Sequence, residues 1–264
     1  MTWALDLDGV VWLAGEGVPG SSEAVTLLRD AGERVVFLTN NSGPSLAAYV
    51  AALGAVGIGC DPADVVTSAQ AAASLVAPGE TVAVVGDEGV REALAARGAV
   101  VVPAEQGPAV VVVGRKIELD YRQLSAACNA IRAGARFIAT NTDATFPVAH
   151  DTLLPGAGAL VAFIATASGH RPEVAGKPHQ AMADLLKARA GEVGVVVGDR
   201  PDTDGLFARL TGARFGLVLS GVTRAADLPV EPAPDWIGDD LLALVHKCLG
   251  PSEPGRGPVG SETP

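Results

Sequence analysis

The sequence predicts an α/β protein in which one parallel sheet is interrupted by the insertion of a second. Short runs rich in Val and Ile alternate with Ala- and Leu-rich stretches of helical period, the pattern of strand-helix-strand units around a parallel sheet. The alternation breaks at Pro78-Gly79-Glu80, restarts with strands and helices of its own, and returns to its first form after residue 174. The expected organisation is a core made of 1–78 and 175–250, an insert over 79–174, and a Pro/Gly/Ser-rich tail over 251–264. That tail lacks apolar periodicity and is expected to be disordered.

WALDL, 3–7, opens the first strand, and a helix from about Ser22 to Ala31 follows it. Gly32 closes that helix, because only glycine enters the left-handed backbone at a helix end without strain. RVVFL, 34–38, is the second strand; Pro44 suits the first turn of the next helix, and SAQAAASLV, 68–76, forms a third. In the insert, strands are expected at TVAVV (81–85), AVVV (99–102), AVVVV (109–113) and RFIAT (136–140). Helices lie between them near 88–97 and 120–133, with another at 155–169. A helix over 179–189 and the strands GVVVGD and RFGLVLS complete the core.

At 264 residues and 48% hydrophobic, the chain suffices for about two domains with cores of their own. Its apolar runs fall short of the roughly 20 residues needed to cross a bilayer, and the N-terminus lacks a charged-then-apolar signal layout. A soluble, cytoplasmic monomer or homodimer is expected. Cys60, Cys128 and Cys248 lie far apart with no C-x-x-C pair, which argues against a disulfide frame or zinc site and for small buried hydrophobes. His150, His170, His179 and His246 show no metal-ligand spacing. The net charge of −11 repels nucleic acid and anionic membrane and leaves small molecules as the expected partners. Trp236 is expected to pin the C-terminal segment to the core.

In an open parallel sheet, ligands gather at the carboxyl ends of the strands, near the point where strand order reverses. Asp6 and Asp8 stand at such an end, one residue apart and followed by Gly9. A single Asp-Gly there is commonly just a turn. Two carboxylates pressed together raise each other's pKa unless a cation intervenes, and Mg²⁺ is the economical cation. VVVGDRPDTD, 195–204, ends a second buried strand in Asp199, with Asp204 about a helical turn later. Acids from two strand ends make a hard, oxygen-lined site. Thr39, Asn40 and Asn41 end strand two and offer a hydroxyl and backbone N–H groups to phosphate. Lys177, one of only four lysines, sits between Gly176 and Pro178 just before a helix, a frame that aims its side chain.

DLDGV, LTNN, GKP and GDRPDTD, in this order, resemble the motifs of the haloacid dehalogenase superfamily of phosphohydrolases. TNTDATFP (140–147) and LPGAGALVAFI (154–164) resemble the inserted cap of its NagD-like, p-nitrophenylphosphatase branch. The resemblance spans residues 1 to about 248. It implies a Rossmann-like, doubly wound parallel sheet core with an inserted α/β cap, and a phosphatase acting on a small phosphorylated metabolite: glycerol phosphate, phosphoglycolate, a sugar phosphate or a nucleoside monophosphate. It further implies Asp6 as nucleophile, Asp8 as acid and base, and Thr39 and Lys177 as holders of the phosphoryl oxygens. Mg²⁺ would be held by Asp6, the Asp8 carbonyl and Asp199, with Asp204 supporting its waters or orienting Lys177; Gly9, Asn40 and Asn41 would line the substrate site. Asn141 and Asp143 in TNTD either line the substrate chamber or cap their own turn.

Asp8 favours hydrolysis over a lasting phospho-enzyme, since the superfamily's dehalogenases lack that acid and its ion pumps carry a hydroxyl there. The alternatives are a phosphoacceptor module, against which the insert and Asp8 argue, and a phosphomutase on the same fold. The chain departs from the branch at Gly43-Pro44, where a hydroxyl-then-basic pair is usual, at Pro201 and Gly205, and at Arg115-Lys116. The last pair ends a strand that faces either substrate or a partner subunit.

Overall fold

The computed structural model describes residues 1–149 and 152–250; the tail expected to be disordered and His150 lie outside them. The first part of the core runs β1 (Thr2–Asp6), a small ribbon of β2 (Trp12–Leu13) and β3 (Glu16–Gly17), α1 (Ser21–Asp30), β4 (Arg34–Thr39), α2 (Leu46–Ala55), β5 (Val65–Thr67) and α3 (Ser68–Ser74). The insert follows as β6 (Thr81–Val85), α4 (Glu88–Arg97), β7 (Val100–Val101), β8 (Val110–Val113), α5 (Tyr121–Arg132), β9 (Arg136–Ala139), β10 (Thr145–Ala149), β11 (Thr152–Pro155), α6 (Ala157–Ser168) and β12 (Glu173–Val174). The core then resumes with α7 (Gln180–Ala190), β13 (Val195–Gly198), α8 (Leu206–Thr211), β14 (Arg214–Val218), β15 (Trp236–Gly238) and α9 (Leu241–Leu249).

The core sheet has six parallel strands in the order β15-β14-β13-β1-β4-β5. The chain builds outward from β1 through β4 to β5, then returns on the other side of β1 through β13, β14 and β15. Strand order therefore reverses beside β1, and the carboxyl ends of β1, β4 and β13 open into one crevice. Every residue of β1 is buried, as expected of a strand covered on both faces. Leu5, Leu7 and Phe37 lie fully buried on one side of the sheet; Leu38, Phe207 and Phe215 lie so on the other. Each such side chain contributes about 1.5–3 kcal/mol by leaving water.

The insert forms a second parallel sheet, ordered β12-β9-β8-β6-β7, with all four valines of β8 buried. Its last strand pair does not stop at the insert. Ala175 N donates to Ala139 O at 2.9 Å and Gly176 N to Thr140 O at 2.7 Å, so sheet pairing carries the chain directly into the Lys177 loop.

Local differences from the sequence reading have simple causes. Pro44 stands just outside α2, because Ser45 takes the cap and accepts from Ala48 N at 3.3 Å. Thr67 caps α3 reciprocally with Gln70, and the three residues before it form β5. The segment after TNTD is an antiparallel hairpin, β10–β11, that the sequence did not announce. Cys128 is buried as expected, whereas Cys60 and Cys248 are only half-buried. Trp236 sits on the edge strand β15 against the core, with the Arg214 guanidinium 4.5 Å from its ring centre. Among the described residues, no helix is long and apolar enough to cross a membrane.

Candidate active site

Asp6 ends β1, and its carboxylate meets those of Asp199, just after β13, and Asp204, in the π-helical turn Pro201–Gly205 that leads into α8. One oxygen from each of the three lies within 4.8 Å of the others, and all three residues are buried. Lys177 is 3% exposed, and its Nζ lies 2.9 Å from Asp6 Oδ1 and 2.6 Å from Asp204 Oδ1. Burial alone would lower the lysine pKa; the charges of Asp204 and Asp6 outweigh it and hold the ammonium above the usual lysine range. Burial is also the main force raising the carboxyls of Asp6 and Asp199. Lys177 opposes it at Asp6, and the neighbouring acids add to it. Asp199, with Asp204 beside it, is pushed up to about 7. With all of them ionised, three carboxylates and one ammonium would carry a surplus of negative charge, which adds to burial in raising Asp6 and Asp199.

The loops tie these groups down. Asp199 Oδ2 accepts from Val222 N at 2.6 Å, and Asp204 Oδ2 from Arg200 N at 3.1 Å. Gly9 has φ +81°, and a Cβ there would lie 2.4 Å from Asp199 Oδ2, so both the turn after Asp8 and the approach of the second acid require glycine. The Asp8 carboxylate accepts from Trp12 Nε1 at 3.1 Å; burial raises its pKa, and this hydrogen bond offsets part of the rise.

Thr39 is buried at the end of β4, its Oγ1 accepting from Asn41 N at 3.0 Å, which leaves the hydroxyl proton to donate elsewhere. Asn40 has a different position from the one its neighbour suggests. Its Oδ1 accepts from Lys177 N at 2.8 Å, and its Nδ2 donates to Lys177 O at 3.1 Å and to Asp143 Oδ1 at 3.3 Å. Asn141 Nδ2 donates to Asn40 O at 2.6 Å, and Asn141 Oδ1 accepts from Asp143 N at 3.0 Å. Both side chains, expected to hold substrate, have their amides engaged in fixing the lysine loop and the turn after β9. Gly176 permits this, since a Cβ there would meet Asn40 Oδ1 at 2.6 Å.

A cavity of about 540 Å³ opens between the carboxyl ends of the core sheet and the insert. Asp6, Asp8, Gly9, Thr39, Asn40, Asn41, Asn141, Lys177 and Asp199 all line it; Asp204, fully buried, stands behind Lys177. Arg115 lines it too, which places that strand end at the cavity, whereas Lys116 lies in an outer groove. Sequence reasoning missed Arg200, Val222, Arg224 and Phe146 in the wall. Their loops and hairpin carry no periodic signal, and only the fold brings them to the strand ends.

The haloacid dehalogenase-like hydrolase model matches residues 3–100, and a HAD-hydrolase-like model matches residues 174–244. The chain is 39% identical over 249 residues to a D-glycerol 3-phosphate phosphatase of Mycobacterium tuberculosis, covering 91% of this chain and 69% of that one. The glycerol phosphate phosphatase structure from that organism in complex with magnesium superimposes with a TM-score of 0.85 at 39% identity, over 92% of this chain and 76% of the other. Phosphoglycolate phosphatase 2 of Arabidopsis thaliana is 33% identical, over 86% of this chain and 85% of its own. The p-nitrophenyl phosphatase from Archaeoglobus fulgidus matches with a TM-score of 0.86 at 28% identity, over 93% of this chain and 98% of that one. The chain belongs to the haloacid dehalogenase-like hydrolases, in their NagD-like branch of phosphoric monoester hydrolases.

Proposed function

We propose that this phosphatase is Mg²⁺-dependent and hydrolyses a small phosphorylated metabolite through an aspartyl-phosphate on Asp6. The observation that carries the reading is the buried cluster of Asp6, Asp199 and Asp204 around the Lys177 ammonium. Its donors are all hard oxygens and its charge is in deficit of a cation, which fits Mg²⁺. Asp6, the backbone carbonyl of Asp8 and Asp199 would hold the ion, with Asp204 supporting them. Bound there, it would polarise the phosphoryl oxygens as a Lewis acid.

The chain's own groups then divide the work. The Asp6 carboxylate forms a bond to phosphorus as the bond to the alcohol oxygen breaks, and Asp8 delivers its proton to that oxygen. Asp8 next takes a proton from water; the water oxygen bonds to phosphorus and the Asp6–phosphorus bond breaks, releasing phosphate. The raised pKa of Asp8 suits it to enter the first step protonated. Lys177 and the Thr39 hydroxyl hold phosphoryl oxygens and oppose the charge that builds during transfer. The insert covers the reacting atoms and limits water.

Relatives named for glycerol phosphate and phosphoglycolate support an ester of that size, as does the cavity of about 540 Å³. Sugar phosphates and nucleoside monophosphates complete the class. The test is phosphate release from a panel of such esters and p-nitrophenyl phosphate, with Mg²⁺ or with chelator. Release from none of them, release undiminished by chelator, or full turnover by Asp6→Asn would overturn the reading.

A further inference from the structure

Arg115 leaves β8 at the rim of the cavity, where its backbone is fixed from two sides. Its N–H donates to Ser42 Oγ at 2.9 Å, and its carbonyl accepts from Asp87 N at 2.8 Å. Its guanidinium lies 5.2 Å from the Phe146 ring centre, and its Nε 3.5 Å from Asp87 Oδ2. Yet that Nε is buried without a hydrogen-bond partner, and among the described residues the guanidinium donates no side-chain hydrogen bond at all. An ion pair that forms no hydrogen bond leaves such a buried donor incompletely satisfied, which costs stability. The space it occupies exists because position 43 is glycine: a Cβ there would fall 2.2 Å from Arg115 Nε.

The placement has a direction. Asp8, the proposed proton donor, marks the side from which the alcohol departs, and Arg115 lines the same cavity as Asp8. Asp143, an acid on the same wall, is occupied by the Asn40 amide, and Arg200 is paired outward with Asp202. Arg224 also lines the cavity but is exposed; Arg115, with Asp87 beside it but no side-chain hydrogen bond among the described residues, keeps its fork free for a planar or tetrahedral oxyanion.

We infer that Arg115, admitted by Gly43, is a specificity residue that binds a second anionic group carried by the substrate's alcohol, a carboxylate or another phosphate. The inference rests on the phosphatase reading and narrows its substrate class. Phosphate esters of acidic alcohols are preferred over those of neutral ones of equal size.

The test is a ratio of kcat/KM values in Mg²⁺, an acidic ester over p-nitrophenyl phosphate, for wild type, Arg115→Gln, Arg115→Lys and Gly43→Ala. 2-Phosphoglycolate and 3-phosphoglycerate form the carboxylate arm, fructose 1,6-bisphosphate the phosphate arm, and glycerol 3-phosphate the neutral control. Loss of a charged hydrogen-bonded pair predicts that Arg115→Gln lowers the ratio by roughly tenfold to a hundredfold in one acidic arm, while the glycerol 3-phosphate ratio stays put. Arg115→Lys recovers part of it. Gly43→Ala keeps every charge but displaces the guanidinium, and lowers the same ratio. Ratios that move less than threefold in both acidic arms, or that move equally for glycerol 3-phosphate, overturn the inference while the phosphatase reading stands. A wild type that hydrolyses no ester overturns both.

Discussion

Lys177 and Asp204 are 2.6 Å apart at the floor of the cavity, Asp204 being fully buried and Lys177 nearly so. The pair joins a loop that emerges from the insert to the helical turn that follows β13. Deleting Asp204 leaves the buried ammonium to Asp6 alone, 2.9 Å away, and breaking a buried pair commonly costs about 3 kcal/mol. Asp204→Ala should lower the thermal midpoint by roughly 6–12 °C at that cost. Calorimetry of the purified variant checks it, and an unchanged midpoint would show that Asp6 alone satisfies the lysine.

Asp8→Asn removes the proposed proton donor and keeps the shape. The consequence depends on what leaves. An alkoxide needs the proton far more than p-nitrophenolate does, so glycerol phosphate hydrolysis should fall by about 10²–10⁴ and p-nitrophenyl phosphate hydrolysis by much less. Steady-state rates on the two esters decide it; equal losses on both would remove Asp8 from the acid role.

Asp6, Asp8, Asp143 and Asp199 all have folded pKa values above their ordinary ones, burial being the first cause in each. Without metal, the folded chain holds protons that the unfolded chain has already released, from about pH 4 up to about 7 for Asp199. Stability therefore falls as pH rises through that window. Lys177, raised above its usual 10.5, keeps its contribution throughout and loses it only in strong base. In chelator, the melting temperature should be higher at pH 5 than at pH 8. Mg²⁺ competes with those protons, so its stabilising shift should be larger at pH 8. A metal-induced shift that is greater at pH 5 would contradict the site.

Asn40→Ala should cut kcat/KM by about a hundredfold, because displacing a catalytic group by an ångström costs that much. The carboxylate cluster is untouched, so Mg²⁺ affinity measured by calorimetry should stay within a few-fold. Turnover within threefold of wild type would mean that the lysine loop holds its position without the amide clamp.

The strands and acids were legible because β1, β4 and β13 are short, apolar and abruptly ended by polar residues, and Lys177 stood out by its Gly-Pro frame. What Asn40 does was not legible. Its bonds reach Lys177, 137 positions away, and no local pattern records a partner at that distance. The hairpin β10–β11 was hidden for another reason: it is two short strands of four and five residues, one carrying Pro147, with little alternation to read. The cap at Ser45 displaced Pro44 from the helix because a hydroxyl acceptor satisfies free N–H groups and proline cannot.

The chain passes between the two sheets twice, near Ala77, where Arg97 Nε donates to Val76 O at 2.9 Å, and again at Ala175-Gly176. The second is locked by the 2.7 Å bond from Gly176 N to Thr140 O and by the Asn40 amide. Beside it, the core hydroxyl of Ser42 accepts from Arg115 N at 2.9 Å and from Thr140 Oγ1 at 3.0 Å, so the ends of β8 and β9 are tied to the core at the same seam. Lys177, the proposed holder of the phosphoryl group, is thereby anchored to both sheets at once, and its reach is set by their shared pairing rather than by its own loop.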